Sequence, residues 1–144
     1  MEEKKKEKVI DNYAIDCFRN CPKYYYWRIV RGLTKPFEKK TAADFGTAIH
    51  KGLEVYYKGG LTPQAQDDAL VAFAKEFTTK ENLEDDKRTV TKGLELLQKY
   101  FVQYGAEPFN VIDVEVGGAI ELNEEWMYSF RIDLITEWHS PHGI

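Results

Sequence analysis

The hydrophobic period of this chain changes once, and the change sets its fold class. Up to Tyr104 apolar residues recur at helical spacing, and beyond Gly105 they alternate with polar ones. A helix buries a stripe and a strand buries one face, so each segment needs a partner layer. Helices first and an alternating hairpin second predict an α+β fold, with N-terminal helices packed on an antiparallel β-meander.

The turn and cap residues divide the helical part. Asn12 is placed to cap a helix starting at Tyr13, with Ala14, Ile15, Cys17 and Phe18 inward. Pro22 interrupts it, and a second stretch from Lys23 to Val30 stops at Gly32. Residues 33–42 form a basic linker containing Pro36. Phe45, Ile49, Leu53 and Tyr56 then share a helix face over 43–57, closed by Gly59-Gly60. Thr62-Pro63 starts a helix to Thr79 with Ala69, Leu70, Phe73 and Phe77 inward. The spacing of Val90, Leu94, Leu97, Phe101 and Tyr104 predicts another from Leu83 to Tyr104.

In the alternating part, Ile112, Val114 and Val116 point one way and Val111, Asp113 and Glu115 the other. Gly117-Gly118 suggests a bulge or bend. Asn123-Glu124-Glu125 is a hairpin loop, and the second strand carries Phe130, Ile132 and Leu134 opposite Arg131, Asp133 and Ile135.

A chain of 144 residues forms one domain with a core that needs no disulfide or structural metal. No apolar run is long enough to span a bilayer, and the charged start lacks a signal-peptide core. Residues 1–11 are read as a charged, flexible tail, and the protein as cytoplasmic. Cys17 and Cys21, one helical turn apart, are expected to be buried free thiols.

The net charge of −4 is unevenly spread. Residues 19–40 carry seven basic side chains against Glu38, a balance of +6, whereas 41–144 carry 9 basic and 18 acidic, a balance of −9. Arg19, Lys23, Arg28 and Arg31 alternate with Tyr24, Tyr25, Tyr26 and Trp27. Such a block can follow phosphates and stack bases. Equally, it describes an amphipathic helix whose aromatics pack inward while its cations stay wet.

Single residues leave their roles open. Asp133 lies in a strand, where acids are disfavoured, and is either a surface partner of Arg131 or a ligand for a hard cation. His50 and Glu54 share a helix face, which suits metal binding or a local hydrogen bond. Asp113 and Glu115 are either solvated or share a cation or a basic partner. His139-x-x-His142 lies in a Pro-Gly turn without a third ligand and is set aside.

In order, Cys21-Pro22-Lys23-Tyr24-Tyr25-Tyr26-Trp27-Arg28, Phe45-Gly46-Thr47-Ala48-Ile49-His50-Lys51-Gly52-Leu53-Glu54 and Arg131-Ile132-Asp133-Leu134-Ile135 resemble the motifs of RecB-like nucleases in the PD-(D/E)XK superfamily. The resemblance covers residues 12–144 and implies an incomplete restriction-endonuclease-like core. It implies that His50 is the helical metal ligand, Asp133 the first acid of the signature, and Glu115 the acid of the preceding strand. His50 and Asp133 would be catalytic, with Mg²⁺ or Mn²⁺ as cofactor and DNA as substrate. Arg19, Lys23, Tyr24, Arg28 and Arg31 would contact the nucleic acid.

The third motif, acid-x-Lys on a following strand, does not occur before Ile144, nor does the later Gln-x-x-x-Tyr helix. The expectation is therefore a nuclease domain inactive or incomplete by itself, with strand 126–135 leaving an edge for a polypeptide that supplies the missing strand. The three C-terminal cysteines of cluster-bearing relatives are also missing, so no iron–sulfur cluster is expected. The alternatives are a non-catalytic DNA-binding module and a protein-interaction module.

Overall fold

A computed structural model describes residues 8–34, 41–79, 87–105 and 109–138. Among the described residues, five α-helices and a three-stranded sheet make up the α+β fold. In order they are β1 (Lys8–Ile10), α1 (Asn12–Asn20), α2 (Pro22–Tyr25), α3 (Thr41–Lys58), α4 (Pro63–Phe77), α5 (Val90–Tyr104), β2 (Phe109–Asn123) and β3 (Trp126–Trp138). A π-helical turn, Tyr26–Val30, continues α2. The backbone separates into two compact units, one of residues 1–38 and 116–132, the other of 39–115 and 133–144.

In the first unit the cap of α1 is Asp11, whose carboxylate accepts the Ala14 N–H at 2.7 Å. The expected cap, Asn12, is one residue late; its side chain instead accepts from the Tyr128 hydroxyl at 2.8 Å. Cys21 caps α2, its Sγ accepting the Tyr24 N–H at 3.4 Å. Cys17 is buried as expected, but Cys21 is exposed, because the chain leaves α1 there in an extended conformation. The turn at Gly32 has φ +64°, which glycine adopts without steric cost.

The sheet order is β1-β3-β2, and β1 is parallel to β3 with Lys8 opposite Trp126 and Ile10 opposite Tyr128. The sheet is thus mixed, not a pure meander. Lys8, Val9 and Ile10 were read as tail, and Trp126–Tyr128 as unpaired edge, because three residues are too short a run to show a period. The β2–β3 turn is Glu124-Glu125; Asn123 Oδ1 accepts the N–H groups of Glu125 and Trp126. Such a two-residue turn joins antiparallel neighbours.

In the second unit α3, α4 and α5 form a helical layer. Its buried centre is Ala48, Tyr56, Ala69, Phe73, Phe77, Leu97 and Phe101, with Val114 from β2. Phe109, Val111 and Leu134 pack against it. Gly52 and Gly93 permit close helix approach. A Cβ on Gly52 would lie 3.1 Å from the Ala69 carbonyl, and one on Gly93 would overlap the Phe73 ring. Thr62 and Thr89 cap α4 and α5 through their hydroxyls. The last helix begins at Val90, not Leu83: Thr89 caps it there, and residues 80–86 lie outside those described.

The expected alternation in β2 does not hold. Val111 and Val114 both face the helices, while Ile112 is 63% exposed. Buried positions two apart would require 111 and 113, so one extra residue slips the phase. The backbone irregularity is at Glu115, φ +58°, rather than at Gly117-Gly118, through which the strand continues. Gly118 instead lies beneath the Phe130 ring, which a Cβ would strike.

Candidate metal centre

Within the second unit His50 of α3, Glu115 of β2 and Asp133 of β3 converge. Their donor atoms all lie within 4.8 Å of one another. His50 Nδ1 is 3.4 Å from Asp133 Oδ1 and 3.8 Å from Glu115 Oε1. Each residue is delivered by a different physical cause. His50 is exposed, between the buried Ala48 and Gly52, at the margin of the core-facing side of α3. Asp133 precedes Leu134, which anchors β3 to the core. The positive φ of Glu115 follows the buried Val114, and only 10% of the Glu115 side chain remains exposed.

The donor set fits a hard divalent cation: two carboxylate oxygens and one imidazole nitrogen. Donors at right angles on such an ion, at bond lengths of about 2.1–2.5 Å, stand about 3.0–3.5 Å apart. The 3.4 and 3.8 Å separations are near that spacing without rearrangement of the strands. Asp133 and His50 are 66% and 55% exposed, so a phosphate oxygen and water have access. A bound cation of this kind polarises a phosphodiester and lowers the pKa of its water. With such an ion the chain's own part would be to hold the three donors in place and leave one side open.

The neighbouring acids do other work. Glu54 accepts from Lys58 at 2.7 Å and Lys51 at 2.8 Å. These hydrogen bonds, that of Lys51 first, hold its carboxyl below the usual carboxylate range, and Glu54 in turn raises the Lys58 ammonium. Asp113 is turned back onto the chain, its Oδ1 accepting the Val114 N–H at 2.8 Å. Asp113 and Glu115 both add, after Glu54, to the raising of Lys58. His139 and His142 lie outside the described residues.

The first unit carries the basic and aromatic side chains. Tyr13, Phe18, Tyr24, Tyr26 and Trp27 are each between 43% and 54% exposed. They do not pack inward as an amphipathic helix would require. Arg19, Lys23 and Arg31 are exposed and Arg28 is half-buried. Arg31 donates to the Tyr26 hydroxyl at 3.4 Å. The Tyr13 phenol is held above its ordinary range, chiefly by Tyr24, against an opposing effect of Arg28. Lys35, Lys39 and Lys40 lie outside the described residues.

An α+β domain that brings an imidazole and two strand carboxylates to one open point has the form of a metal-dependent phosphodiesterase. The chain belongs to the PD-(D/E)XK nuclease superfamily, whose family model matches residues 13–139. No match was found among curated proteins or among solved structures. It is accordingly a domain of the metal-dependent nuclease type. Among the described residues no helix is long and apolar enough to cross a membrane.

Proposed function

We propose that this chain is a RecB-like DNA nuclease domain in which His50, Glu115 and Asp133 hold Mg²⁺ or Mn²⁺. The observation that carries the reading is the convergence of these three donors within 4.8 Å from three separate elements. Asp133 and His50 are the catalytic ligands. Glu115 completes the metal site from its strained position in β2. Arg19, Lys23, Tyr24, Arg28 and Arg31 bind the nucleic acid, their cations taking phosphates and the tyrosine a base.

Hydrolysis in this family's chemistry also needs a lysine to orient water or neutralise developing charge. No acid-x-Lys pair follows Asp133 within the 144 residues. A partner polypeptide that adds a strand beside β3 past Tyr128, beyond its pairing with β1, would supply such a lysine.

Calorimetric titration with Mn²⁺ tests the metal site. The chain should bind, and His50→Ala and Asp133→Ala should each abolish binding. A folded chain that takes no Mn²⁺ would remove the proposal.

A second reading is favoured by the half-exposed aromatics among cations: a DNA-binding module without catalysis. It predicts salt-sensitive DNA binding that Asp133→Ala leaves unchanged. Charge reversal at Arg28 and Arg31 that leaves DNA affinity unaltered would instead point to protein interaction.

A further inference from the structure

The first unit contains a slot that the metal chemistry does not use. Its volume is about 440 Å³, within the range of small-molecule pockets. Its walls are Ile10 of β1, Ile15 and Phe18 of α1, Tyr25 of α2, and Leu122 and Trp126 of the hairpin. Phe18 and Tyr25 meet edge to face at 5.4 Å, yet Phe18 remains 54% exposed. Asn123 also lines the slot. Its Oδ1 is occupied by the two turn N–H groups, so the amide nitrogen is the donor it retains.

Near the rim of these apolar walls stand two cationic side chains. Lys8 Nζ stands 5.1 Å from the centre of the Trp126 ring, itself a wall of the slot, and is paired with Glu125 at 3.4 Å. Arg19 follows Phe18 and lies one helical turn beyond Ile15, on the same side of α1. An apolar peptide would use the rings and ignore the rim. A nucleotide uses both: a flat ring for the aromatic walls, a polar edge for Asn123, and a phosphate for the cations.

We propose that this slot receives one unstacked nucleobase of a single-stranded nucleic acid, with Arg19 and Lys8 beside its phosphate. The inference rests on the nucleic-acid reading above and adds substrate form to it. Bases in a duplex are stacked and paired, so entry to the slot selects single strands and frayed ends.

The test compares three fluorescent probes by anisotropy in EDTA: an oligothymidylate, an abasic strand of the same length, and a duplex. The oligothymidylate should bind more tightly than the other two. Ile15→Trp, which fills the slot from a partly exposed position, should lower oligothymidylate affinity to the abasic level. Phe18→Ala, at an exposed ring, should cost about 5- to 150-fold, the range for loss of one base stack. Neither variant should change abasic binding or its salt dependence, and circular dichroism should show both folded. Equal affinity for oligothymidylate and abasic strand, or no response to either folded variant, overturns the slot while leaving phosphate binding intact. Absence of binding to every probe would sink the nucleic-acid reading itself.

Discussion

Glu115 should exchange stability for metal affinity, and the exchange is measurable. Its φ of +58° is a left-handed conformation in a non-glycine residue. Holding such a residue there costs about 1–2 kcal/mol. Asparagine occupies this region more readily, since its short side chain can hydrogen-bond locally. Glu115→Asn should therefore recover about 1 kcal/mol of backbone energy. Removing a carboxylate near Asp133 relieves some repulsion, at most about 1 kcal/mol in a site this open to water. Against this stands the loss of one mostly buried methylene, about 0.8 kcal/mol.

The net expectation for Glu115→Asn in EDTA is a gain of about 0.2–1.2 kcal/mol, or about 1–4 °C in Tm. With Mn²⁺ at a hundred times its Kd the parent chain gains about 2.7 kcal/mol, which the variant forgoes. The order of stability should reverse on metal addition. Denaturant and thermal unfolding in EDTA and in Mn²⁺ measure this directly. Glu115→Gln keeps the side chain's length and the backbone cost, so it should gain less in EDTA while also losing the metal response. A Glu115→Asn chain less stable than the parent in EDTA, or one retaining the full Mn²⁺ shift, would refute the reasoning.

Glu54 predicts a specific pH dependence. Its folded pKa is depressed by Lys51 and then Lys58, so its contribution is present above the unfolded value near 4.5 and lost as pH falls through the folded one. The stability difference between the parent and Glu54→Gln in urea should be flat near neutrality and shrink on acidification; a difference that grows in acid would contradict this. Two glycines on helices should respond oppositely to alanine. Gly93→Ala drives a Cβ into the Phe73 ring and should cost about 1–3 kcal/mol. Gly46→Ala meets nothing within 4 Å in α3 and should gain about 0.5–1 kcal/mol. Equal effects at both sites in denaturant unfolding would argue against the packing of α5 on α4.

Much of the helical half was legible because caps and periods are local. Thr62-Pro63 marks its helix from within a few residues, and Phe73 and Phe77 fall on the buried side as their spacing requires. His50, Asp133 and Glu115 were legible as candidates through the resemblance their motifs carry. The start of α5 was not, since the helical period continues upstream of the Thr89 cap. Lys8–Ile10 carries no period of its own; it is a strand only because Trp126–Tyr128 offers hydrogen bonds. The exposed aromatics of α1 and α2 escaped as well, because sequence spacing assigns a side chain to a helix face without saying whether another layer covers it.

The sequence by itself determined the α+β class, the helix faces that become the core, and the separation of a basic aromatic start from an acidic remainder. These follow from the spacing and chemistry of neighbouring residues. Tertiary structure alone decided the phase of β2 and the conformation of Glu115. Seating Val111 and Val114 together on the helical layer requires an extra residue between them, and the left-handed turn of the backbone comes immediately after. That packing event brings a carboxylate from β2 to His50 and Asp133, and no local pattern encodes it.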